Sequence, residues 1–232
     1  MIEDEALRSL PPEQRERIGA LWLERARGEL STAAVFAHVT SGVLAIGASP
    51  EVLSLSARAV GDEVRHARLC HGLAELYLGR SVPLPRAPAV DEARFGDAPR
   101  AINHLLSLVF QSCVNEGIAA AYLQENLRLV RAAAAHKVIH ELLQDDLVHA
   151  RIGWAHLASP ELTEEGRRHV AAALPTLIRL GREAWLRPPE SSDLDCPEHG
   201  CLAFSRHAAI VEAALRELVL PGFAHLGFRP AA

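Results

Sequence analysis

Six side chains have the types and spacing to hold metal ions: Glu29, Glu63, His66, Glu116, Asp146 and His149. A carboxylate and an imidazole three residues apart lie one turn apart on one helix face, where both can reach the same ion. Glu63 and His66 form one such pair, Asp146 and His149 another. With 29 acidic residues and 12 histidines in 232 residues, about 1.5 such pairs arise by chance, so finding two decides nothing. Their surroundings are more telling. The first pair lies in Asp62-Glu63-Val64-Arg65-His66-Ala67-Arg68-Leu69 and the second in Asp145-Asp146-Leu147-Val148-His149-Ala150-Arg151-Ile152, a matching octet that amounts to an internal repeat. A lone glutamate precedes each octet at a similar distance: Glu29 before the first, Glu116 before the second.

Each of the six interrupts an apolar helical seam. Steps of four and three residues give Ile18, Trp22, Ala26, Glu29, Ala33, Phe36, and then Val52, Ser56, Ala59, Glu63, His66, Cys70, Leu73, Tyr77. Two further seams run Ile102, Leu106, Val109, Cys113, Glu116, Ala120, Leu123, Leu127, Val130 and Ala135, Ile139, Leu142, Asp146, His149, Gly153, His156. Four buried carboxylates repel one another unless they are protonated or matched by cations, and even one in isolation costs several kcal/mol. Two divalent ions cancel four carboxylates. The plainer alternative leaves the acids solvated or paired with Arg65, Arg68 or Arg151, and the histidines satisfied in the core. It suits either pair alone, but not six residues at one level of four seams.

Helices must position these groups. Residues Pro11 to Ile46 read as a first helix that stops at Gly47-Ala48-Ser49-Pro50, where Ser49 can cap a second helix running to about Gly79. Pro83, Pro85, Pro88, Gly96 and Pro99 break any regular pattern after that. The segment 80–97, fully extended, spans ~55 Å against ~38 Å for a 25-residue helix, so it can cross the length of a bundle. A third helix is expected from near Pro99 to past Val130 and a fourth from about Ala135 to Leu157, with no breaker in Arg131-Ala132-Ala133-Ala134-Ala135 to mark the turn. A fifth over Thr163 to Leu186 and a sixth over Leu202 to Leu220 flank a Pro- and Asp-rich loop, 187–200.

Composition agrees with an all-α chain. Alanine and leucine dominate, while only six Phe, three Trp and two Tyr occur, and Ala and Leu lose little side-chain freedom in a helix. A net charge of −5 and a pI near 6.2 provide no broad basic field, so non-specific nucleic-acid binding has no electrostatic support and nucleic acid is not the expected partner, while a local basic patch and a tRNA substrate stay open. The acidic start Met1-Ile2-Glu3-Asp4-Glu5 lacks the basic and apolar regions of a secretory signal, and no apolar run is long enough to span a bilayer. Four cysteines, Cys70, Cys113, Cys196 and Cys201, are too few for a disulfide framework in a chain of this length. A cytoplasmic location is expected.

The order Glu29, Glu63-x-x-His66, Glu116, Asp146-x-x-His149 resembles the ferritin-like di-iron carboxylate superfamily, in which such residues occupy four successive bundle helices. The resemblance implies one domain over 1–232, with a ferritin-like di-metal bundle over 13–158, a long crossover between its second and third helices, and a helical extension over 161–232. It makes all six residues metal ligands, catalytic through the metals. It also makes Asp62 and Asp145 the acceptors of the outer N–H of the opposite histidine, a contact that fixes the tautomer and raises ligand basicity. Two departures stand out. Asp146 occupies a place where glutamate is usual, and Cys70, one turn after His66, stands where a radical-forming tyrosine might, which argues against a ribonucleotide-reductase-like role.

The function implied is a non-haem di-iron oxidase or monooxygenase, with two Fe ions (Fe/Mn or Mn as alternatives) and O₂ as cofactors. Its partners would be a small organic substrate and an electron donor, with no membrane and with a homodimer as an open option. The long connection and the helices after residue 160 could build a substrate pocket; Cys70, Cys113 and His156 are candidates to line it, with small core packing the favoured reading for Cys113 and His156. Two alternatives are ferroxidase or peroxide handling, as in ferritins and rubrerythrins, and a metal-free helical interaction module. No Cys-x-x-Cys pairs mark a rubredoxin-type domain, and a large C-terminal extension is awkward for a closed cage. Cys196, His199 and Cys201 lack a fourth ligand at zinc-site spacing, and His136 and His140 are read as a solvated surface pair.

Overall fold

The computed structural model describes residues 5–87, 89–187 and 194–229. Three features read from the sequence lie wholly or partly outside them: the acidic start at 1–4, the breaker Pro88, and the 188–193 part of the Pro- and Asp-rich loop. Six long helices carry the fold: α1 Pro12–Ala45, α2 Pro50–Leu78, α3 beginning at Arg100, α4 Ala133–Leu157, α5 Glu164–Trp185 and α6 beginning at Phe204. A single turn, Glu5–Arg8, precedes α1, and a 3₁₀ turn, Pro197–His199, lies between α5 and α6. The described residues contain no strand, only one isolated bridge between Cys196 and Cys201.

Local chemistry sets three of the ends. The Ser49 hydroxyl accepts from the Val52 amide at 3.4 Å to start α2, and Gly79, at φ 66°, closes it in a left-handed conformation that costs glycine nothing. The Thr163 hydroxyl does for α5 what Ser49 does for α2, accepting from Gly166 N at 3.0 Å. Two helices are not uniform. Helix α3 is α-helical over Arg100–Leu108, π-helical over Val109–Asn115 and α-helical again over Glu116–Leu129. Helix α6 comprises Phe204–Ala214, a π-helical Leu215–Val219 and Leu220–His225, so it extends beyond the expected Leu220.

The third helix stops at Leu129 and does not continue past Val130, and the fourth starts at Ala133, two residues early. Val130 and Ala132 turn extended, with ψ of 138° and 120°. The cause is not local. The amides of Arg131 and Ala132 both donate to the carbonyl of Glu198, at 2.8 and 2.9 Å, so the distant 3₁₀ turn satisfies the donors exposed by the break.

Contacts give the helix directions. Arg15 Nε donates to the carbonyl of Tyr77 at 3.2 Å, placing the start of α1 beside the end of α2. The connection then returns along this hairpin, with His71 at 2.8 Å from the Val82 carbonyl and His38 at 3.0 Å from that of Val90. Gly42 near the end of α1 lies so close to His104 near the start of α3 that a Cβ there would sit 2.6 Å from the ring. Helix α3 is therefore antiparallel to α1 and parallel to α2, and α4 packs back against α3 and α2.

The core among α1 to α4 falls into two apolar clusters. One includes Trp22, Tyr77, Ile139 and Leu142, the other Phe36, Val52, Leu108 and Ile152. The level between them is where Glu63, His66, Glu116, Asp146 and His149 are buried. A third cluster joins α5 and α6 to the outer face of α3 through Val114, Ile118, Leu174, Val211 and Phe223. No helix among the described residues is long and apolar enough to cross a membrane.

Candidate metal centre

The structure brings all six sequence-selected residues together, in two overlapping groups whose donor atoms lie within 4.8 Å of one another. One is Glu63, Glu116, Asp146 and His149, and the other is Glu29, Glu63 and His66. Glu63 is common to both. Its Oε1 lies 3.0 Å from His149 Nδ1 and its Oε2 lies 3.6 Å from His66 Nδ1. Asp146 Oδ1 is almost equidistant from the two rings, 3.8 Å from His66 Nδ1 and 3.6 Å from His149 Nδ1. Glu29 and Glu116 flank the pair, each 3.9 Å from the nearer imidazole.

These atoms face one another without bonding one another. Both oxygens of Glu63 and the Nδ1 atoms of His66 and His149 are buried and, close as they are, lack hydrogen-bond geometry. Leaving such groups unsatisfied costs of order 1–3 kcal/mol each, more where charged. An ion within this ring of oxygens and nitrogens would satisfy all four. The donor set is carboxylate and imidazole with no thiolate, a chemistry that suits divalent first-row metals.

The histidines are oriented from outside. His66 Nε2 lies 3.1 Å from Asp145 Oδ2, and His149 Nε2 lies 3.4 Å from Asp62 Oδ2, so each octet's first aspartate reaches the other octet's histidine. Carboxylates accept here, so the ring proton belongs on Nε2 and the Nδ1 lone pair points inward. Arg58 reaches Asp62 at 3.1 Å and Asp145 at 3.4 Å, while Arg65 bonds Asp145 and lies 3.6 Å from Asp62. Burial opposes the charge of Asp145, but His66 and Arg65 hold its carboxyl below the usual range.

Without cations the inner carboxylates conflict. Burial, reinforced by the charge of Glu63, pushes Glu29 and Glu116 well above the ordinary carboxylate range. Burial does the same to Asp146, helped by Glu116 and then Glu63. Burial also works against Glu63, yet the two histidines hold it down at about 2. His66 moves up: burial opposes its charge but Glu63 and Asp145 outweigh it. Without cations Glu29, Glu116 and Asp146 are thus biased toward their protonated forms, a bias that divalent ions would relieve.

Gln111 was not selected from the sequence. It lies inside the π-helical stretch and donates from Nε2 to Glu116 Oε1 at 2.7 Å, while Asn115 Nδ2 donates to Gln111 Oε1 at 3.2 Å. A π-helical turn inserts an extra residue and shifts the helix phase, and here it ends immediately before Glu116.

A cavity of about 310 Å³ opens beside the cluster, and Glu29, Glu63, Glu116 and Asp146 form one part of its lining. Trp22, Arg25, Tyr122, Trp185, Phe204 and His207 form much of the rest. The segment after residue 160 thus contributes to this wall, whereas the connection between α2 and α3 contributes no lining residue. The candidates Cys70, Cys113 and His156 do not line it either. Cys70 is buried in the core, where burial drives its thiol well up; Cys113 lines a second cavity of about 530 Å³ with Trp154 and Val219; His156 is buried with an unsatisfied Nδ1. Cys196, His199 and Cys201 belong to neither donor group, and His136 and His140 are exposed and stacked at 6.4 Å. Arg25 carried one usable signal, its place beside the Trp22 to Glu29 seam. Trp185, Phe204 and His207 carried none, since nothing local ties them to lining residues on α1 to α4 that are far away along the chain.

Comparison of the chain with protein-family models, with curated proteins and with solved structures found no match.

Proposed function

We propose that this chain is a ferritin-like di-metal protein that binds two iron ions and oxidises or hydroxylates a small organic substrate with O₂. Four helices with a connection that returns along the first hairpin support the ferritin-like reading. The observation that carries the functional reading is the cavity, because four carboxylates of the donor cluster are also its wall. A storage site has no use for an aromatic chamber beside the metals; an oxygenase needs one.

Glu29 and His66 would hold one ion and Glu116, Asp146 and His149 the other, with Glu63 belonging to both donor groups. Bound iron would supply the reduction of O₂ that no side chain can perform. The chain's own contributions are geometric and electrostatic. Asp62 and Asp145 fix the histidine tautomers, Gln111 fixes the Glu116 carboxylate, and the apolar clusters on either side exclude water. A hydroxylation balances as one C–H bond, O₂, two electrons and two protons giving C–OH and water. The electrons come from a separate one-electron carrier, the protein partner this reading requires.

The test is anaerobic loading with Fe(II), addition of a candidate organic substrate, and a pulse of O₂. Uptake of O₂ coupled to an oxidised product carrying label from ¹⁸O₂ supports a monooxygenase. Repeated oxidation of added Fe(II) into a mineral, with no organic substrate and no coupling, contradicts it in favour of storage.

A further inference from the structure

From the far wall of the cavity we infer that its ligand is a small aromatic monocarboxylate, anchored through its carboxylate by Arg25. Arg25 is half-buried and lines the cavity. One of its nitrogens, Nη2, is already engaged, donating to Tyr122 Oη at 2.7 Å and to the Gly200 carbonyl at 2.9 Å. Neither partner is anionic. Among the described residues Arg25 forms no ion pair, and its Nε and Nη1 donate to no protein acceptor. The guanidinium plane is fixed by those two bonds and by stacking 4.4 Å from the Trp22 ring, so its remaining donors are held ready for a ligand. Gly200, at φ 76° and packed against Trp22 and Ile139, is a residue whose own side chain would block this arrangement.

The charge of the ligand follows from the charges of the wall. On the di-metal reading, on which this inference rests, two divalent ions offset Glu29, Glu63, Glu116 and Asp146, leaving Arg25 as the one uncompensated charge among the cavity residues. A monoanion neutralises it. A phosphate dianion would leave an excess negative charge close to four carboxylates. The body of the ligand follows from the aromatic groups. Tyr122, Trp185, Phe204 and His207 form a contiguous set, with ring centroids at 5.1 Å for Tyr122 and His207, 5.8 Å for Trp185 and His207, and 6.0 Å for Phe204 and His207. Flat faces of this kind favour an aromatic ring over a flexible chain. Arg25 precedes Glu29 by one helical turn, ~6 Å along the axis. A carboxylate held at Arg25 therefore leaves room for one ring between the anchor and the metals, in a cavity at the small end of the range for organic ligands.

The test is equilibrium binding to the full chain, metal-free and Zn(II)-loaded, of benzoate, phenylacetate and 3-phenylpropionate, each against its primary amide. Intrinsic tryptophan emission reports it, because two of the three tryptophans, Trp22 and Trp185, stand in the wall. The expected result is that at least one acid binds about tenfold or more tightly than its amide, as a charge-assisted contact requires. Arg25→Gln should reduce that preference to near unity, and Arg25→Lys should retain part of it. Equal binding of acid and amide, no binding of any acid, or a preference that survives Arg25→Gln overturns the inference. If Arg25→Gln does not fold, the wild-type preference and its partial retention in Arg25→Lys decide. An acid preference in a protein that takes up no iron would sink the di-iron reading and spare the anchor; two irons with no acid preference would do the reverse.

Discussion

Removing all metal from this protein should leave it less stable as pH rises above about 5, toward the raised values of its buried carboxyls, the opposite of the usual behaviour of buried carboxylates in ion pairs. Glu29, Glu116 and Asp146 sit well above the carboxylate range because burial and the neighbouring acids disfavour their charge. Unfolding releases them to ordinary values of about 4. In this window the folded state therefore holds protons that the unfolded state does not, and stability falls as pH rises through the folded values. Each proton retained by the folded state contributes a slope of about 1.4 kcal/mol per pH unit. Since 1 kcal/mol moves the Tm of a chain this size by about 2–4 °C, even one proton shifts Tm by ~3–5 °C per pH unit. Glu63, held at about 2, contributes a constant amount above pH 5 and does not mask the trend. His66 adds to it, because a raised histidine loses its stabilising contribution as pH rises through its folded value. Two bound ions replace the protons, so the loaded protein should show a flat or rising profile. Thermal unfolding by circular dichroism, after chelator dialysis and after anaerobic Fe(II) or Zn(II) loading, measures both slopes. A metal-free Tm that is flat or rises from about pH 5 to about pH 8 would refute the reasoning, since the folded cluster would then already be ionised.

Other outcomes follow from single contacts. Asp145→Asn and Asp62→Asn should each weaken metal binding by about 10- to 100-fold without unfolding the chain, measured by competition with a chelating dye. The larger effect belongs to Asp145, whose contact with its histidine is the shorter, 3.1 against 3.4 Å. Gly153→Ala would put a Cβ 2.6 Å from Cys113 Sγ and 3.1 Å from Ser112 Cβ, between α3 and α4 one turn after His149. Denaturant unfolding should show a loss of about 1–3 kcal/mol, recovered in part by the added change Cys113→Ala. Gln111→Met keeps the volume but removes the donor to Glu116, so iron binding should weaken while the metal-free Tm changes little.

What could be read in the sequence was what repeats along a helix. The seams through Glu29, Glu63, Glu116 and Asp146 are side-chain periodicities, and all their members except Glu29 and Leu127 are buried. Ser49, Gly79 and Thr163 marked their helix ends because a cap acts within four residues. Three things were not legible, each for a long-range reason. The turn after Leu129 is held by the Glu198 carbonyl, which no property of an alanine run announces. The π-helical stretch before Glu116 shifts backbone phase without changing the apolar pattern around it. The aromatic cavity wall joins α1 and α3 to residues beyond 180, a juxtaposition that no local pattern announces. That Cys70, Cys113 and His156 lie outside the lining of this cavity has the same origin, because an inward-facing residue near a site need not face the side on which the cavity opens.

The central claim is that two metal ions occupy the cluster. It is tested most directly by counting metal on anaerobically reconstituted, gel-filtered protein, wild type beside Glu116→Ala. The account predicts about two irons per chain in the wild type and a marked loss in the variant. Stoichiometry near zero in the folded wild type, or an undiminished count in Glu116→Ala, would contradict it.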